Sequence, residues 1–357
     1  MGSFGNNLKT SVYGESHGAG VGVLIDGMPA GLAVDEALIA DALKKRVSYC
    51  AAISTTRRET DFVIQSGVYN GFTTGTSLCI FLPNIDVDDR PYKGVARPGH
   101  ADYTEFVRSD GYCDLRGGGY HSGRLTAALV AAGAIVLPAL KLQNIKIASH
   151  IATLGGIEDA EMTADSTLCD DFPTVSRECG VKMRAYIADV KSKGDSCGGV
   201  CQTKIFGLPA GLGGGYFDSA DGLISFGLMS LPAVKSVSFG NDIASLLGSA
   251  ANDKLYAKNN KVYTKTNNCG GIVGGITNGS DVVVNVSIKP VASIAKPMDT
   301  VTLPDLEPIS VVTDGRHDPC AAHRIIPALD AVCALAVADL MIGRYGRDCL
   351  AAKVKRL

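Results

Sequence analysis

Two short apolar runs open the chain, at 8–13 and 21–26, and their spacing predicts two strands joined by a glycine-bounded loop at 14–18. From 35 to 46 the pattern turns helical, with Asp35 and Glu36 suited to the N-terminus and Lys44, Lys45 and Arg46 to the C-terminus. A polar stretch holding Arg57 and Arg58 precedes a predicted strand pair at roughly 61–68 and 77–82. A central helix is predicted from Ser122 to about Leu142; Ser122 caps it, and Pro138 bends or ends it. Because that helix is apolar on every face, it must be covered on all sides. Next come a strand at 145–154, an acidic surface excursion at 158–171, a helix at 174–193, a strand at 200–206 and a helix at 218–229. The Lys/Asn-rich segment 251–268 reads as a mobile loop, and 281–288 is the clearest strand. The last helix is expected to start at Asp318 and Pro319 and to end near Arg344, with Pro327 disturbing its interior. No repeat and no linker divides the chain, so residues 1–357 read as one α+β domain with helices at its centre.

Composition narrows the possibilities. The apolar fraction, 46%, suffices for a large core and argues against disorder. Lys and Arg number 34 against 36 Asp and Glu, a net charge of -2 that speaks against nucleic-acid or membrane-surface binding. The longest uncharged apolar run, 125–140, falls short of the ~18–20 residues that span a bilayer. Eleven cysteines and no apolar leader in residues 1–10 point to free thiols in a reducing cytoplasm. Cys197 and Cys201 are four apart, but no second pair or histidine follows at zinc spacing, so no metal is expected.

Chemistry concentrates between 97 and 126. That stretch holds His100, His121, Arg97, Arg108, Arg116, Arg124 and the triple glycine 117–119, and the apolar helix follows it. Glycines let a backbone approach a ligand, a loop entering a helix offers free N–H groups, and arginines add bidentate charge. The pattern describes a polyanion site with His100 beside it. Pro98 and Gly99 before His100, and Asp102 after it, fix a turn and could set its tautomer. His17 sits in a glycine-bounded loop, where a surface role competes with a functional one. Asp318 reads equally as a helix cap, although Arg316 and Arg324 nearby exceed what a cap requires. Lys289 and Pro290, with Val291, Ala292 and Ser293 after them, form either a phosphate clamp or a solvated strand end. The run GAGVG at 18–22 lacks the following helix of a dinucleotide fingerprint, and no P-loop exists.

Taken together these segments resemble the chorismate synthase family. The resemblance rests on GESHG at 14–18, IDGMPAG at 25–31, TRRE at 56–59, SGV at 66–68, TTGT at 73–76 and RPGHADYT at 97–104. RGGG at 116–119, GGIVGG at 270–275, IKP at 288–290 and GRHDPC at 315–320 complete it. It implies a single-domain β-α-β sandwich with central buried helices between antiparallel sheets, a homotetramer, and reduced FMN as cofactor. It also implies a trans-1,4-elimination of phosphate from 5-enolpyruvylshikimate 3-phosphate to give chorismate, with no net redox change. This is the last common step of the shikimate pathway toward aromatic amino acids. By resemblance His100 protonates the departing phosphate, His17 serves the reduced flavin, and Asp318 assists removal of the ring proton. Arg46, Arg57 and Arg124 hold substrate anions; Arg46 also matches a position sometimes assigned to nicotinamide nucleotide (NADP). Tyr120, His121, Ser122, Pro232, Ala233, Gly274, Lys289, Pro290, Val291, Ala292, Ser293 and Arg316 match FMN-contact positions.

The chain also departs from the family pattern. YHSGRLT at 120–126 replaces the more usual RSSARET, and Ala52 stands where an arginine is often found. His121 and His323 occupy positions where no histidine is expected. The flavin is therefore expected to be reduced by an external flavin reductase, with NADPH as the ultimate reductant. Two rival readings, a flavin or nicotinamide oxidoreductase and a non-catalytic anion-binding module, predict NADPH consumption and ligand binding without product.

Overall fold

The computed structural model describes residues 2–47, 53, 60–85, 94–313 and 318–351. The chain begins with β1 (Lys9–Gly14), β2 (Gly20–Asp26), α1 (Glu36–Val47), β3 (Val63–Ser66), β4 (Val68–Tyr69), β5 (Phe72–Thr73) and β6 (Leu78–Pro83). It continues with α2 (Asp102–Arg108), α3 (Thr126–Leu142), β7 (Lys146–Leu154), β8 (Ile157–Glu158), α4 (Arg177–Ser192) and β9 (Gly199–Phe206). Then come α5 (Ala220–Met229), β10 (Val234–Phe239), α6 (Gly248–Ala251), β11 (Leu255–Lys258), β12 (Lys261–Thr264), β13 (Ile272–Val273) and β14 (Ile276–Thr277). The last elements are β15 (Val282–Ile288), β16 (Met298–Val301), β17 (Pro308–Val311) and α7 (Ala322–Tyr345).

Two antiparallel sheets enclose a helical layer. One has the order β1-β2-β6-β3, the other β10-β15-β9-β7-β8. Period-2 alternation gives each sheet its inner face: Leu78, Ile80 and Leu82 of β6, and Val282, Val284, Val286 and Ile288 of β15, all point inward. Helix α3 packs on β2 and β6, α7 packs on β7 and β9, and the two helices pack against each other. Their approach is close. A Cβ placed on Gly133 of α3 would lie 2.4 Å from Cβ of Ala331 on α7, so a side chain there would push the layers apart. The expected β-α-β sandwich is the observed architecture.

An interior carboxylate fixes the entry of the chain. Asp339 of α7 is buried and accepts the N–H groups of Asn6, Asn7 and Leu8 at 2.8, 2.6 and 2.7 Å. Three backbone donors give this charge the partners that a buried ion needs.

Several expectations require correction. Segment 251–268 is no unstructured loop but carries the β11–β12 hairpin, with Tyr256 and Tyr263 stacked at 5.6 Å; its polar sequence hid the cross-strand pairing. Strands β10, β16 and β17 were not anticipated, because short half-exposed strands leave little alternation. Pro138 does not end α3, which runs on to Leu142. The final helix starts at Ala322 rather than Asp318, and its N-cap Ala321 has no side-chain cap; the Asp318 carboxylate is drawn to Arg324 instead. Lengths also exceed the run-based estimate. The helical stretches Gly123–Leu142 and Ala322–Tyr345 are both long and apolar enough to cross a bilayer, yet 67% and 83% of their apolar windows lie buried inside the protein.

His323 of α7 is wholly buried, stacks on Phe172 with ring centroids 5.9 Å apart, and neither ring nitrogen has a hydrogen-bond partner among the described residues. Burial lowers its pKa to about 4, with Asp318 opposing and Arg324 reinforcing the shift. A histidine depressed in the fold binds its proton preferentially in the unfolded chain. Stability is therefore lost as pH falls from ~6.5 through about 4. Asp330, raised to about 7 chiefly by burial, contributes the opposite slope. The His323→Phe variant should consequently lose less stability than the parent between pH 7 and pH 4.5, as read from urea unfolding; identical pH profiles would contradict the buried neutral state.

Candidate active site

The glycine loop is built by contact. In the turn Arg116–His121, Gly117, Gly118 and Gly119 have φ of 57°, 88° and 51°, values that glycine adopts without Cβ strain. A Cβ on Gly119 would fall 1.9 Å from the Asp114 carbonyl oxygen, and one on Gly117 would fall 2.4 Å from Nε2 of His17. The Ser16 N–H donates to the Gly119 carbonyl at 3.1 Å, tying the GESHG loop to the triple glycine. Ser122 then accepts from the Arg124 N–H at 3.3 Å and starts the tight turn Gly123–Leu125 that feeds α3. It is a cap, as anticipated, but of this preceding turn.

Cationic side chains converge on the loop from distant elements. Arg46, from the last turn of α1, donates through Nε to the Thr126 hydroxyl at 3.0 Å and through Nη2 to the carbonyls of Gly123 and Arg124 at 2.7 and 3.3 Å. Arg124 donates to the Ser16 carbonyl. Arg97 forms a buried fork with Asp102, at 2.6 and 2.8 Å. Arg324 joins Asp318 and also donates to the Arg46 carbonyl at 3.3 Å. The Lys289 ammonium donates to the Gly99 carbonyl at 2.6 Å. A carbonyl fixes where a guanidinium or ammonium points without cancelling its charge.

His100 is held at both nitrogens. The Pro98 carbonyl, 3.2 Å from Nδ1, can only accept, so Nδ1 carries the hydrogen. Nε2 then accepts from the Ser293 hydroxyl at 2.9 Å. Burial lowers the His100 pKa to about 4; Arg97 and Lys289 add to the depression, while Asp102 and the Pro98 carbonyl oppose it. The imidazole is thus neutral near pH 7 while no anion offsets its cationic neighbours. A dianion placed beside it would favour its protonation.

These groups surround one cavity of about 830 Å³. Among the predicted residues, Arg46, His100, Tyr120, His121, Ser122, Arg124, Pro232, Ala233, Lys289, Pro290, Val291, Ala292, Ser293 and Asp318 all line it. His17 is buried immediately behind Gly117 rather than in the lining. Gly274 stands apart, in the turn of the β13–β14 hairpin. Arg57 and Arg316 lie outside the described residues. The described lining carries four arginines and a lysine against a single carboxylate, Asp318. Phe4, Thr10, Thr126, Phe226 and Leu231 also line it and were not foreseen; they are ordinary core-type residues, brought in only by the fold. His121 is anchored at 2.8 Å by Glu105 of α2, whose carboxyl is held down at about 2 chiefly by its hydrogen bond from Arg108 and also by His121.

A helical layer between two antiparallel sheets, with a glycine loop and a cation-lined cavity, is the architecture of an α+β protein whose cavity suits anionic small molecules. Comparison with known proteins makes that class specific. A family model described as chorismate synthase matches residues 8–342. The chorismate synthase of Aeropyrum pernix is 40% identical over 354 residues, covering 96% of this chain and 93% of that protein. That of Methanosarcina barkeri is 40% identical over 349 residues, covering 95% of each. A crystal structure of a chorismate synthase superposes with a TM-score of 0.73 at 27% identity, covering 96% of this chain and 94% of the other. The chain belongs to the chorismate synthase family, whose members are lyases.

The contact beneath Gly117 yields a direct test. Gly117→Ala should destabilise the fold by ~1–3 kcal/mol, since it combines positive φ with a collision against a buried imidazole. A urea unfolding midpoint equal to that of the parent would show that the loop does not rest on His17.

Proposed function

We propose that this protein converts 5-enolpyruvylshikimate 3-phosphate to chorismate, by a trans-1,4-elimination of phosphate that depends on reduced FMN and leaves no net redox change. The observation that carries this reading is the position of His100, whose Nε2 meets Ser293 in a cavity rich in guanidinium groups. The residues present suit a flavin mononucleotide and a second anion together. The volume is about 830 Å³, positive charge predominates, and the Thr10 hydroxyl, buried in the lining, has no hydrogen-bond partner among the described residues. Tyr120, His121, Ser122, Pro232, Ala233 and the segment Lys289, Pro290, Val291, Ala292 and Ser293 would hold the cofactor. The chemistry supplied by a bound reduced flavin is transient electron donation to the substrate and a nearby proton acceptor.

The chain's own groups do the rest. Arg46 and Arg124 hold substrate anions, fixed in direction by carbonyls and the Thr126 hydroxyl. The departing phosphate takes a proton from His100, which gains that proton when a dianion beside it offsets the burial and the neighbouring cations that depress its pKa. Asp318, steadied by Arg324, keeps a negative charge at the cavity wall that favours removal of the ring proton. His17 acts from behind, by supporting the loop that faces the flavin. Burial of the cavity groups excludes water and strengthens each of these interactions.

On this reading the flavin is reduced outside the protein, by a reductase that draws on NADPH, and the protein works as a homotetramer in the cytoplasm. Tyr216 and Phe217, almost fully exposed, offer apolar surface of the kind that such an assembly covers. Anaerobic incubation with reduced FMN and 5-enolpyruvylshikimate 3-phosphate should release inorganic phosphate, and His100→Ala should slow that release by ~10²-fold or more. No release from the parent rejects the reading; an unchanged rate in the variant removes His100 from it.

A further inference from the structure

Two free cysteines from distant parts of the chain face each other beside the Asp318 segment. Cys197 and Cys320 form an isolated parallel bridge, and the Cys197 N–H donates to the Pro319 carbonyl at 2.8 Å. Cys197 retains 7% exposure and Cys320 none. Residues paired across a backbone bridge fall within the Cα separation that a disulfide accepts, roughly 4.4–6.8 Å. Cys320 comes two residues after Asp318 and just ahead of α7, while Cys197 leads into β9.

The two thiols are not equivalent. Cys197 keeps a little exposure, and the neighbouring Cys320 side chain holds its thiol below the ordinary value despite burial. Cys320 has none, and the Cys197 side chain together with burial pushes its thiol well up. Cys201, next in line, is fully buried, is pushed far up by that burial, and directs its sulfur to the Ala322 carbonyl at 3.5 Å. Its residual exposure makes Cys197 the thiol that a hydroperoxide reaches first and the fully buried Cys320 the resolving thiol, and the directions of the two shifts agree.

We propose that Cys197 and Cys320 are a peroxide-reactive dithiol, an oxidative modification site that closes to a disulfide and clamps the segment bearing Asp318. The Cys197 thiolate attacks one oxygen of a hydroperoxide. The O–O bond breaks, the other oxygen leaves and takes up a proton as water or alcohol, and Cys197 becomes a sulfenic acid. The Cys320 sulfur then attacks the Cys197 sulfur, the S–O bond breaks, water leaves and the S–S bond forms. Two thiols lose two electrons in total, and one hydroperoxide is reduced. The bond joins segments more than a hundred positions apart in a geometry that the backbone already holds, so it should raise the unfolding temperature.

The test uses the full-length protein and hydrogen peroxide. After graded exposure, thiols are blocked with N-ethylmaleimide and the protein is digested without reduction. The expected result is loss of two of the eleven thiols, one linked peptide containing Cys197 and Cys320, and a raised unfolding temperature that dithiothreitol reverses. Cys197→Ser should fold normally and show neither the link nor the temperature shift. The proposal is overturned if Cys197 and Cys320 both remain alkylatable after denaturation while half-buried cysteines such as Cys113 or Cys349 are oxidised, or if Cys197 links to Cys201 instead.

Discussion

Guanidinium groups buried close together repel one another, and removing each from water costs several kcal/mol more. Every feature around the cavity answers that constraint. Arg46 and Arg124 are steered by backbone carbonyls of Gly123, Arg124 and Ser16, which satisfy N–H donors and fix where each guanidinium points. Arg97 and Arg324 are held by the carboxylates of Asp102 and Asp318. An incoming polyanion brings negative charge beside these groups, and His100 reports it, because burial, reinforced by Arg97 and Lys289, disfavours the imidazolium in its absence.

Such an arrangement demands that loops come within van der Waals reach of one another, and this is where the glycine content finds its use. Gly117 and Gly119 give the loop room against His17 and the Asp114 carbonyl, and Gly133 lets α3 sit against α7 at Ala331. The two central helices in turn set the cavity's position. The N-terminal end of α3 carries Arg124 and Thr126 into it, and the start of α7 carries Arg324. Asp339, further along α7, fixes the N-terminal segment whose Phe4 lines the opposite part of the same space. Fold stability and site geometry thus share the same helix pair.

Much of this was legible in the residues. The apolar 122–142 run required a covered helix, and short apolar runs bounded by turn residues marked β6 and β15. The clustering of His100, Arg124 and the glycines marked the cavity. What could not be read has physical causes. Thr10, Phe226 and Leu231 look like any core-facing residues, and only the meeting of β1 and α5 makes them part of a ligand site. The hairpin at 255–264 is exposed on both faces and set among lysines and asparagines, so no buried face announced it. The Asp318-Pro319 pair imitates a helix start, but the carboxylate prefers a nearby guanidinium, and the helix begins four residues later without a side-chain cap.

The most direct test of this electrostatic account is the protonation of His100 in the folded protein, followed by NMR of ring-labelled histidine, with His100→Gln for assignment. Without ligand the imidazole should titrate at about 4, and saturation with a bound phosphorylated dianion should raise that midpoint by at least ~1 unit. An imidazole that titrates near its ordinary value of ~6.5 in the free protein, or whose midpoint does not move when the anion binds, would contradict the account.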